Sequence, residues 1–187
     1  MTVMKFGGSS VGDADRINNV CSIVESKLDE KPVVVSSAVK GVTDMLIDTA
    51  RLAEKGEDIS KELGEIKERH LKILKDLELD ENLVNEQLEG YSKAVDKIFE
   101  MKSMNPELFD EVQSYGERMS IRIIAANLNK KGIKAKAYDA YDIGMITTPD
   151  YGKAEPLPDT EEKIAKFLGE VEEVPIITGF IGKDSAG

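Results

Sequence analysis

The sequence contains no tryptophan, one cysteine and one histidine, and only 5% of its residues are aromatic. Recognition of stacked nucleic-acid bases therefore has few candidate residues. A single cysteine cannot form a disulfide within the chain, which indicates a reducing compartment, and we expect the cytoplasm. Cys21 and His70 both fall on apolar helical patterns, so we expect packing residues and not a nucleophile or a catalytic base.

The sequence also lacks an apolar run of membrane length and a stretch shaped like a signal peptide, so we expect no membrane partner. Acidic residues (36) outnumber Lys and Arg (25), giving a net charge of −11. This balance argues against a nucleic-acid partner, which needs clustered cations. It does not exclude a small anion, because converging backbone N–H groups can bind one locally. No cluster of His, Cys and carboxylates predicts a protein metal site.

The first 55 residues alternate between β-like and helical patterns. A strand at residues 3–6 precedes a small-residue loop, and apolar residues at helical spacing follow Asp13, a suitable N-cap. Three valines at residues 33–35 predict a buried parallel strand, and a second loop leads to a helix beginning near Asp44. This order predicts an α/β fold in which helices cover a mostly parallel sheet.

A long helical stretch follows, and we expect it to form an insertion over about residues 44–131. Asn105 before Pro106 predicts a helix start, Gly116 is a possible break, and Gly132 ends the stretch. Later patterns predict strands at residues 133–138, 143–148 and 174–177 and a short helix at residues 159–168. The last strand leads into a glycine-rich run over residues 179–187, so the chain looks cut within a loop.

The first loop has the composition of a phosphate site. Paired glycines at Gly7 and Gly8 let backbone N–H groups approach an anion, and the following helix start adds a positive dipole end. Lys5 could reach a phosphoryl group in transfer. The spacing fits neither a Walker loop nor a dinucleotide fingerprint. A tight turn beside an exposed lysine explains the same residues equally well.

The second loop, residues 36–43, carries hydroxyls and a glycine at a strand end. These groups could bind a small polar ligand. The simpler interpretation is helix capping, with Thr43 as the N-cap of the next helix.

Glu117 is the third candidate, because a carboxylate inside an apolar helical segment needs a partner or its pKa rises. It could bind the ammonium group of a substrate. The simpler interpretation is an internal ion pair with Arg118 or another cation.

Three stretches together resemble the aspartate kinases. Residues 5–11 (Lys-Phe-Gly-Gly-Ser-Ser-Val) are similar to the N-terminal signature of that family, and residues 34–44 to its second loop. Residues 116–120 (Gly-Glu-Arg-Met-Ser) resemble its Gly-Glu-x-x-Ser segment. The motifs occur in the family's order, and the resemblance covers essentially the whole chain. Acetylglutamate and uridylate kinases share the glycine pair, but Phe6 and the helical insertion favour aspartate kinase.

The resemblance implies the amino-acid-kinase fold, a three-layer α-β-α sandwich. It also implies transfer of the ATP γ-phosphoryl group to the side-chain carboxylate of L-aspartate, with Mg²⁺ bridging the ATP phosphates. The residues expected at the phosphates are Lys5, Phe6, Gly7 and Gly8, with Lys5 stabilising the transition state. Thr43 and Glu117 are expected to contact aspartate, with Glu117 facing its α-ammonium. Since aspartate supplies its own nucleophile, no strong general base is required.

By the same resemblance, residues 1–187 are the N-terminal part of a catalytic domain. Adenine-binding segments and regulatory domains would follow Gly187, so we expect this chain alone to lack full activity and the full-length protein to form a homodimer. Two alternatives stay open. The chain could be a non-catalytic module that binds an anion or an amino acid, or another member of the amino-acid kinase family.

Overall fold

A parallel sheet of four strands lies at the centre of the chain, whose computed structural model describes residues 1–185. The strand order is β1-β2-β4-β3, and every neighbouring pair is parallel. The first two strands pair in register from Thr2 with Pro32 to Phe6 with Ser36. The strands are β1 (Thr2–Phe6), β2 (Pro32–Ser36), β3 (Ala135–Tyr138) and β4 (Val174–Thr178).

Two of the helices begin at side-chain caps that the sequence predicts. The carboxylate of Asp13 accepts a hydrogen bond from the N–H of Arg16, and the amide oxygen of Asn105 accepts one from the N–H of Leu108. Each bond satisfies an N–H group that has no partner within the helix. The α-helices are α1 (Ala14–Glu25), α2 (Val42–Glu54), α3 (Ser60–Asp76), α4 (Asn85–Met101), α5 (Pro106–Lys130) and α6 (Thr160–Glu170).

The two faces of the sheet are buried against different helices. Val34 and Ile176 belong to the main core, which includes α1, α5 and the helices α2 and α4 that pack against α5. Val33 and Ile177 point the other way, because side chains alternate along a strand. They belong to a second cluster, against which Phe167 of α6 packs. Helices therefore lie against both faces, with Val3 of β1 left 64% exposed. The predicted three-layer α/β architecture with a parallel sheet is confirmed.

Most predicted elements appear close to their expected positions. Strands 3–6, 33–35 and 174–177 are present, and so are the helices that begin after Asp13 and Asn105. Cys21 is buried, with its sulfur 3.3 Å from Nδ2 of Asn127. His70 is buried too, as expected of a packing residue, and its Nδ1 lies 2.8 Å from the carbonyl oxygen of Ile66. No described helix combines the length and apolarity needed to cross a membrane.

Three expectations about local structure are wrong. Residues 143–148 do not form a strand, because Gly144 adopts a left-handed φ of 105° and the segment makes only isolated bridges at Ile146 and Thr147. Thr43 is not an N-cap, since α2 already begins at Val42. α5 runs without a break through residue 116.

The glycine at position 116 serves close packing. A Cβ on Gly116 would lie 2.8 Å from the Cβ of Ala38, 3.3 Å from Cδ1 of Leu46 and 3.5 Å from Cγ1 of Val42. Helix α5 therefore contacts the loop after β2 and the first turns of α2 more closely than any side chain would permit. This contact places the residue after Gly116 at the end of β2.

We expect Gly116→Ala to lower the free energy of unfolding by about 1–3 kcal/mol, because the added methyl group overpacks this contact. The matched control is Gly64→Ala in α3, where no atom lies within 4 Å of the added Cβ. Removing glycine from that helix should stabilise the protein by roughly 0.5–1 kcal/mol. Urea unfolding of both variants measures the difference. Equal effects from the two substitutions would contradict the packing argument.

Candidate functional site

Three loops meet at the carboxyl ends of neighbouring strands. We call them the glycine loop (residues 7–12, after β1), the second loop (residues 37–41, after β2) and the third loop (residues 179–182, after β4). The N–H of Ser37 donates to the carbonyl of Phe6, and the N–H of Gly179 donates to that of Ser36, both at 3.0 Å. The backbone hydrogen bonds between the parallel strands thus continue into the loops. The three loops lie side by side at the sheet edge where α/β proteins bind ligands.

The two glycines of the glycine loop have different surroundings. Gly7 is extended, with φ −78° and ψ 167°, and no atom lies within 4 Å of a Cβ placed on it. A Cβ on Gly8 would lie 2.9 Å from the carbonyl oxygen of Ala38 in the second loop. Gly8 is therefore required for the two loops to touch, whereas the space at Gly7 is open. A short 3₁₀ helix from Gly8 to Val11 then leads into α1.

Lys5 and Phe6 project from opposite faces of β1. Lys5 is exposed, and its Nζ lies 5.2 Å from the ring centroid of Phe180 in the third loop. Phe6 packs against the main core, so its side chain points away from the loops. Only the backbone of Phe6 reaches this edge, through its carbonyl bond to Ser37. Of the adjacent pair predicted at the phosphates, Lys5 alone presents its side chain to the loops.

Glu117 lies on α5 with its carboxyl group against the third loop. Its Oε2 atom is 3.8 Å from the position that a Cβ would take on Gly179. Within residues 1–185, Oε2 is buried and has no hydrogen-bond partner. Burial raises the pKa of Glu117 to about 8, although the positive charge of Lys5 acts in the opposite direction. The carboxyl group is thus held mostly protonated near neutral pH.

The expected internal ion pair between Glu117 and Arg118 does not form. The Arg118 guanidinium lies instead over the ring of Tyr115, 4.7 Å from its centroid. Its Nε atom is 3.4 Å from the carboxylate of Asp139. The positive charge of Lys5, and not that of Arg118, acts on Glu117 and lowers the pKa of its carboxyl group.

Thr43 lies in the first turn of α2 and is half-buried. Val42, the residue before Thr43, packs on Gly116, the residue before Glu117. Thr43 and Glu117, the two residues predicted to contact aspartate, therefore lie on helices that touch each other. In the described part of the chain, the Thr43 hydroxyl makes no side-chain hydrogen bond with the protein. The first turn of α2 also has N–H groups without intrahelical partners, as every helix start does.

Two residues near this edge were not predicted as parts of the site. Phe180 is 93% exposed and has a left-handed φ of 51°, which is uncommon for a residue other than glycine. Its position in the loop that follows a predicted strand was its signal in the sequence. Asp139 pairs with Arg122 of α5, 17 residues earlier in the chain. No local pattern reveals such a partner.

Across residues 1–185, no group of three or more His, Cys, Asp or Glu side chains is arranged to hold a metal ion. The arrangement instead offers open backbone at Gly7, one ammonium at Lys5 and one unpaired carboxyl at Glu117. Such a set can bind an anion at the glycine loop and a cationic group beside α5.

Known proteins with similar sequences are aspartokinases. The chain is 40% identical to chloroplastic aspartokinase 3 of Arabidopsis thaliana, matching over 97% of this chain and 34% of the relative. It is 32% identical to lysine-sensitive aspartokinase 3 of Escherichia coli, over 100% of this chain and 42% of the relative. The chain thus spans about a third to two fifths of the length of these relatives.

A solved structure shares the fold. The crystal structure of E. coli aspartokinase III in complex with aspartate and ADP superposes with a TM-score of 0.84 at 29% identity. The match covers 99% of this chain and 42% of that one. The sequence profile of the amino acid kinase family matches residues 1–187. Because this match extends over the entire chain, the protein belongs to the amino acid kinase family.

Proposed function

We propose that this chain supplies the phosphate loop and part of the amino-acid subsite of an aspartate kinase. The reaction transfers the γ-phosphoryl group of ATP to the side-chain carboxylate of L-aspartate, giving 4-phospho-L-aspartate and ADP. This is the first step towards lysine, threonine and methionine. The similarity to aspartokinases, and to a structure with aspartate and ADP bound, supports the proposal.

The unpaired carboxyl group of Glu117 is the observation that carries this proposal. A buried acid without a hydrogen-bond partner destabilises the fold when it ionises, and such groups cluster at functional sites. The α-ammonium of an amino acid supplies both the missing donors and the missing charge. Binding of aspartate would then ionise Glu117 and release its proton. Thr43, in the first turn of the adjoining helix α2, is proposed as a second contact to the same substrate.

The glycine loop and Lys5 are proposed to hold the nucleotide's phosphates. The space where Gly7 would carry a Cβ is open, so an anion could approach the backbone there, and Gly8 keeps the loop against the second loop. Lys5 acts on Glu117 electrostatically, so its ammonium can face the space between an amino acid there and phosphates at Gly7. Charge neutralisation and alignment provide most of the catalysis in phosphoryl transfer. Phe6 would contribute through its backbone.

ATP is proposed to bring Mg²⁺ on its own phosphates, where the ion neutralises charge. Residues 1–187 form the N-terminal part of the catalytic domain in this proposal, with a helical insertion over about residues 44–131. We also propose that the full-length protein is a homodimer, as the resemblance implies. The lone cysteine supports a cytoplasmic location.

The complete gene product should release ADP from MgATP in the presence of L-aspartate, and not with uridylate or N-acetylglutamate in its place. Lys5→Ala should lower kcat by at least about 100-fold with a small effect on KM, because the lost cation acts mainly in the transition state. A coupled ADP assay measures both. Lys67→Ala, an exposed lysine of α3, serves as the control. Binding of aspartate and ATP without turnover would favour a non-catalytic module.

Gly7→Ala and Gly8→Ala should separate folding from nucleotide binding. At Gly7 the new methyl group meets nothing, so the melting temperature should stay within about 2 °C while ADP affinity falls roughly 10-fold. At Gly8 it meets the Ala38 carbonyl, so stability itself should fall by about 1–3 kcal/mol. Calorimetric titration and thermal unfolding measure the two effects. Unchanged ADP affinity in the Gly7 variant would remove the phosphate site from the proposal.

Glu117→Gln should stabilise the chain at high pH. The folded-state pKa of Glu117, about 8, lies above the ordinary value of a glutamate, 4.5, so ionisation penalises folding increasingly as the pH rises from 4.5 through 8. The variant should gain about 2–4 kcal/mol at pH 8 and nothing near pH 4.5. It should also lose affinity for L-aspartate. Urea unfolding at both pH values measures the free energy of unfolding of the variant, with Glu89→Gln at an exposed position as the control. The same stability difference from the unsubstituted chain at both pH values would contradict a raised pKa at Glu117.

A further inference from the structure

A cluster of charged side chains, in which a buried carboxylate faces two partly exposed arginines, lies next to Glu117 along α5. The Asp139 side chain is 4% exposed and receives two parallel hydrogen bonds from Arg122, Nη1 to Oδ1 and Nη2 to Oδ2, both 3.1 Å long. Nε of Arg118 is 3.4 Å from Oδ2, and the hydroxyl of Tyr141 donates to the same oxygen at 3.0 Å. One carboxylate thus holds two arginines of the same helix.

This cluster joins three elements at the ligand edge of the sheet. Asp139 directly follows β3, and both arginines belong to α5. The N–H of the next residue, Ala140, donates to Oγ1 of Thr178 at 2.9 Å. Thr178 ends β4, and Gly179, which faces Glu117, comes directly after it. Asp139 is therefore connected to Glu117 from both sides, through α5 and through the start of the third loop.

The geometry of the pair restricts how α5 can lie. A residue in an α-helix is turned by about 100° and displaced by 1.5 Å from its neighbour. A two-bond contact between Arg122 and Asp139 fixes both orientation and distance, unlike a single point contact. Any slide or rotation of α5 that broke this contact would also carry Glu117, five residues earlier, away from Gly179.

The charges of the cluster are balanced in favour of an ionised Asp139. Burial alone raises the pKa of its carboxyl group, but the hydrogen bonds and charge of Arg122, with the charge of Arg118, outweigh burial and lower it. A buried ion pair is weak evidence for stability, since apolar replacements are often neutral or better. Orientation is the property that such a pair supplies and an apolar contact does not.

We propose that Asp139 is a positioning residue of the amino-acid subsite, which holds Arg122 and Arg118 so that α5 presents a free Glu117 carboxyl group to the third loop. Arg118 is the residue next to Glu117, and its pairing with Asp139 keeps a competing guanidinium away from that carboxyl group. The assignment of the subsite to an amino acid rests on the function proposed above. The positioning of Glu117 does not, and it can be measured without ligand.

The test uses Asp139→Asn, with Arg122→Lys as a second variant that keeps the charge and loses the two-bond geometry. The Glu117 carboxyl carbon is titrated by NMR in the chain without ligand. We expect the midpoint of the Glu117 titration to fall by about one pH unit or more in Asp139→Asn. A displaced α5 would expose the Glu117 carboxylate to solvent, and a released Arg118 would place a cation beside it.

In the complete gene product, the same variant should bind L-aspartate about 10-fold more weakly, while its affinity for ADP stays within about twofold. Lys134→Ala, which removes an exposed ion pair with Glu172 beside β3, should change none of these quantities.

The possible outcomes separate the two proposals. An unchanged Glu117 midpoint in folded Asp139→Asn, accompanied only by a lower melting temperature, would overturn the positioning role. If that variant does not fold, the midpoint in Arg122→Lys decides in the same way. If the unsubstituted protein binds no L-aspartate but the midpoint still shifts in the variants, the positioning of Glu117 stands and the proposed function falls.

Discussion

The close contact of α5 with the segment after β2 is the constraint from which the candidate site follows. Gly116 has no side chain, so the helix lies directly against Ala38 and the start of α2. Because α5 packs this closely, Glu117 lies at the carboxyl ends of the central strands and not at the surface of the helical layer. Asp139 then sets the rotation of the same helix through Arg122. Packing and a charged contact together determine one side-chain position.

The electrostatics of the site have an unusual balance. Glu117 is half-buried, but its Oε2 is buried and unpaired within the described chain, and the opposing charge of Lys5 only partly offsets the cost of burial. Asp139, directly after β3, is ionised because Arg122 and Arg118 of the helix that carries Glu117 face it. Of these two carboxyl groups, that of Asp139 is paired with arginines and that of Glu117 is not, within residues 1–185. A ligand that carries its own positive charge completes the balance at Glu117.

Much of the fold was predictable because its signals are local. Asp13 and Asn105 cap helices through bonds that span three residues, and the valines at 33–35 have the composition of a buried strand. The strand expected at residues 143–148 is absent because the signals that decide this segment are not all local. Its apolar residues suit a strand, but the left-handed turn at Gly144 and the packing of Ile143 under α6 are tertiary features.

The candidate site was predictable only in part. The glycine pair, Lys5 and Glu117 were found because their residue types are unusual for their local surroundings, whatever the fold. Asp139 was not found, because its importance depends on Arg118 and Arg122, which the fold brings to it across the end of β3. Phe6 shows the converse limit. Its neighbours in the motif face the loops, but the alternation of side chains along β1 directs its ring into the core.

Three features at this edge cost the fold something or add nothing to it. The space beside Gly7 is filled by no atom, Phe180 is exposed in a left-handed conformation, and Oε2 of Glu117 is buried unpaired. A chain selected for stability alone would remove each of them, since Gly7 is not required by its backbone angles and the other two carry a cost. Gly7 and Phe180 lie in the loops that follow β1 and β4, and Glu117 of α5 has its carboxyl group against the loop after β4. Because folding does not account for them, binding is the explanation that requires their presence together.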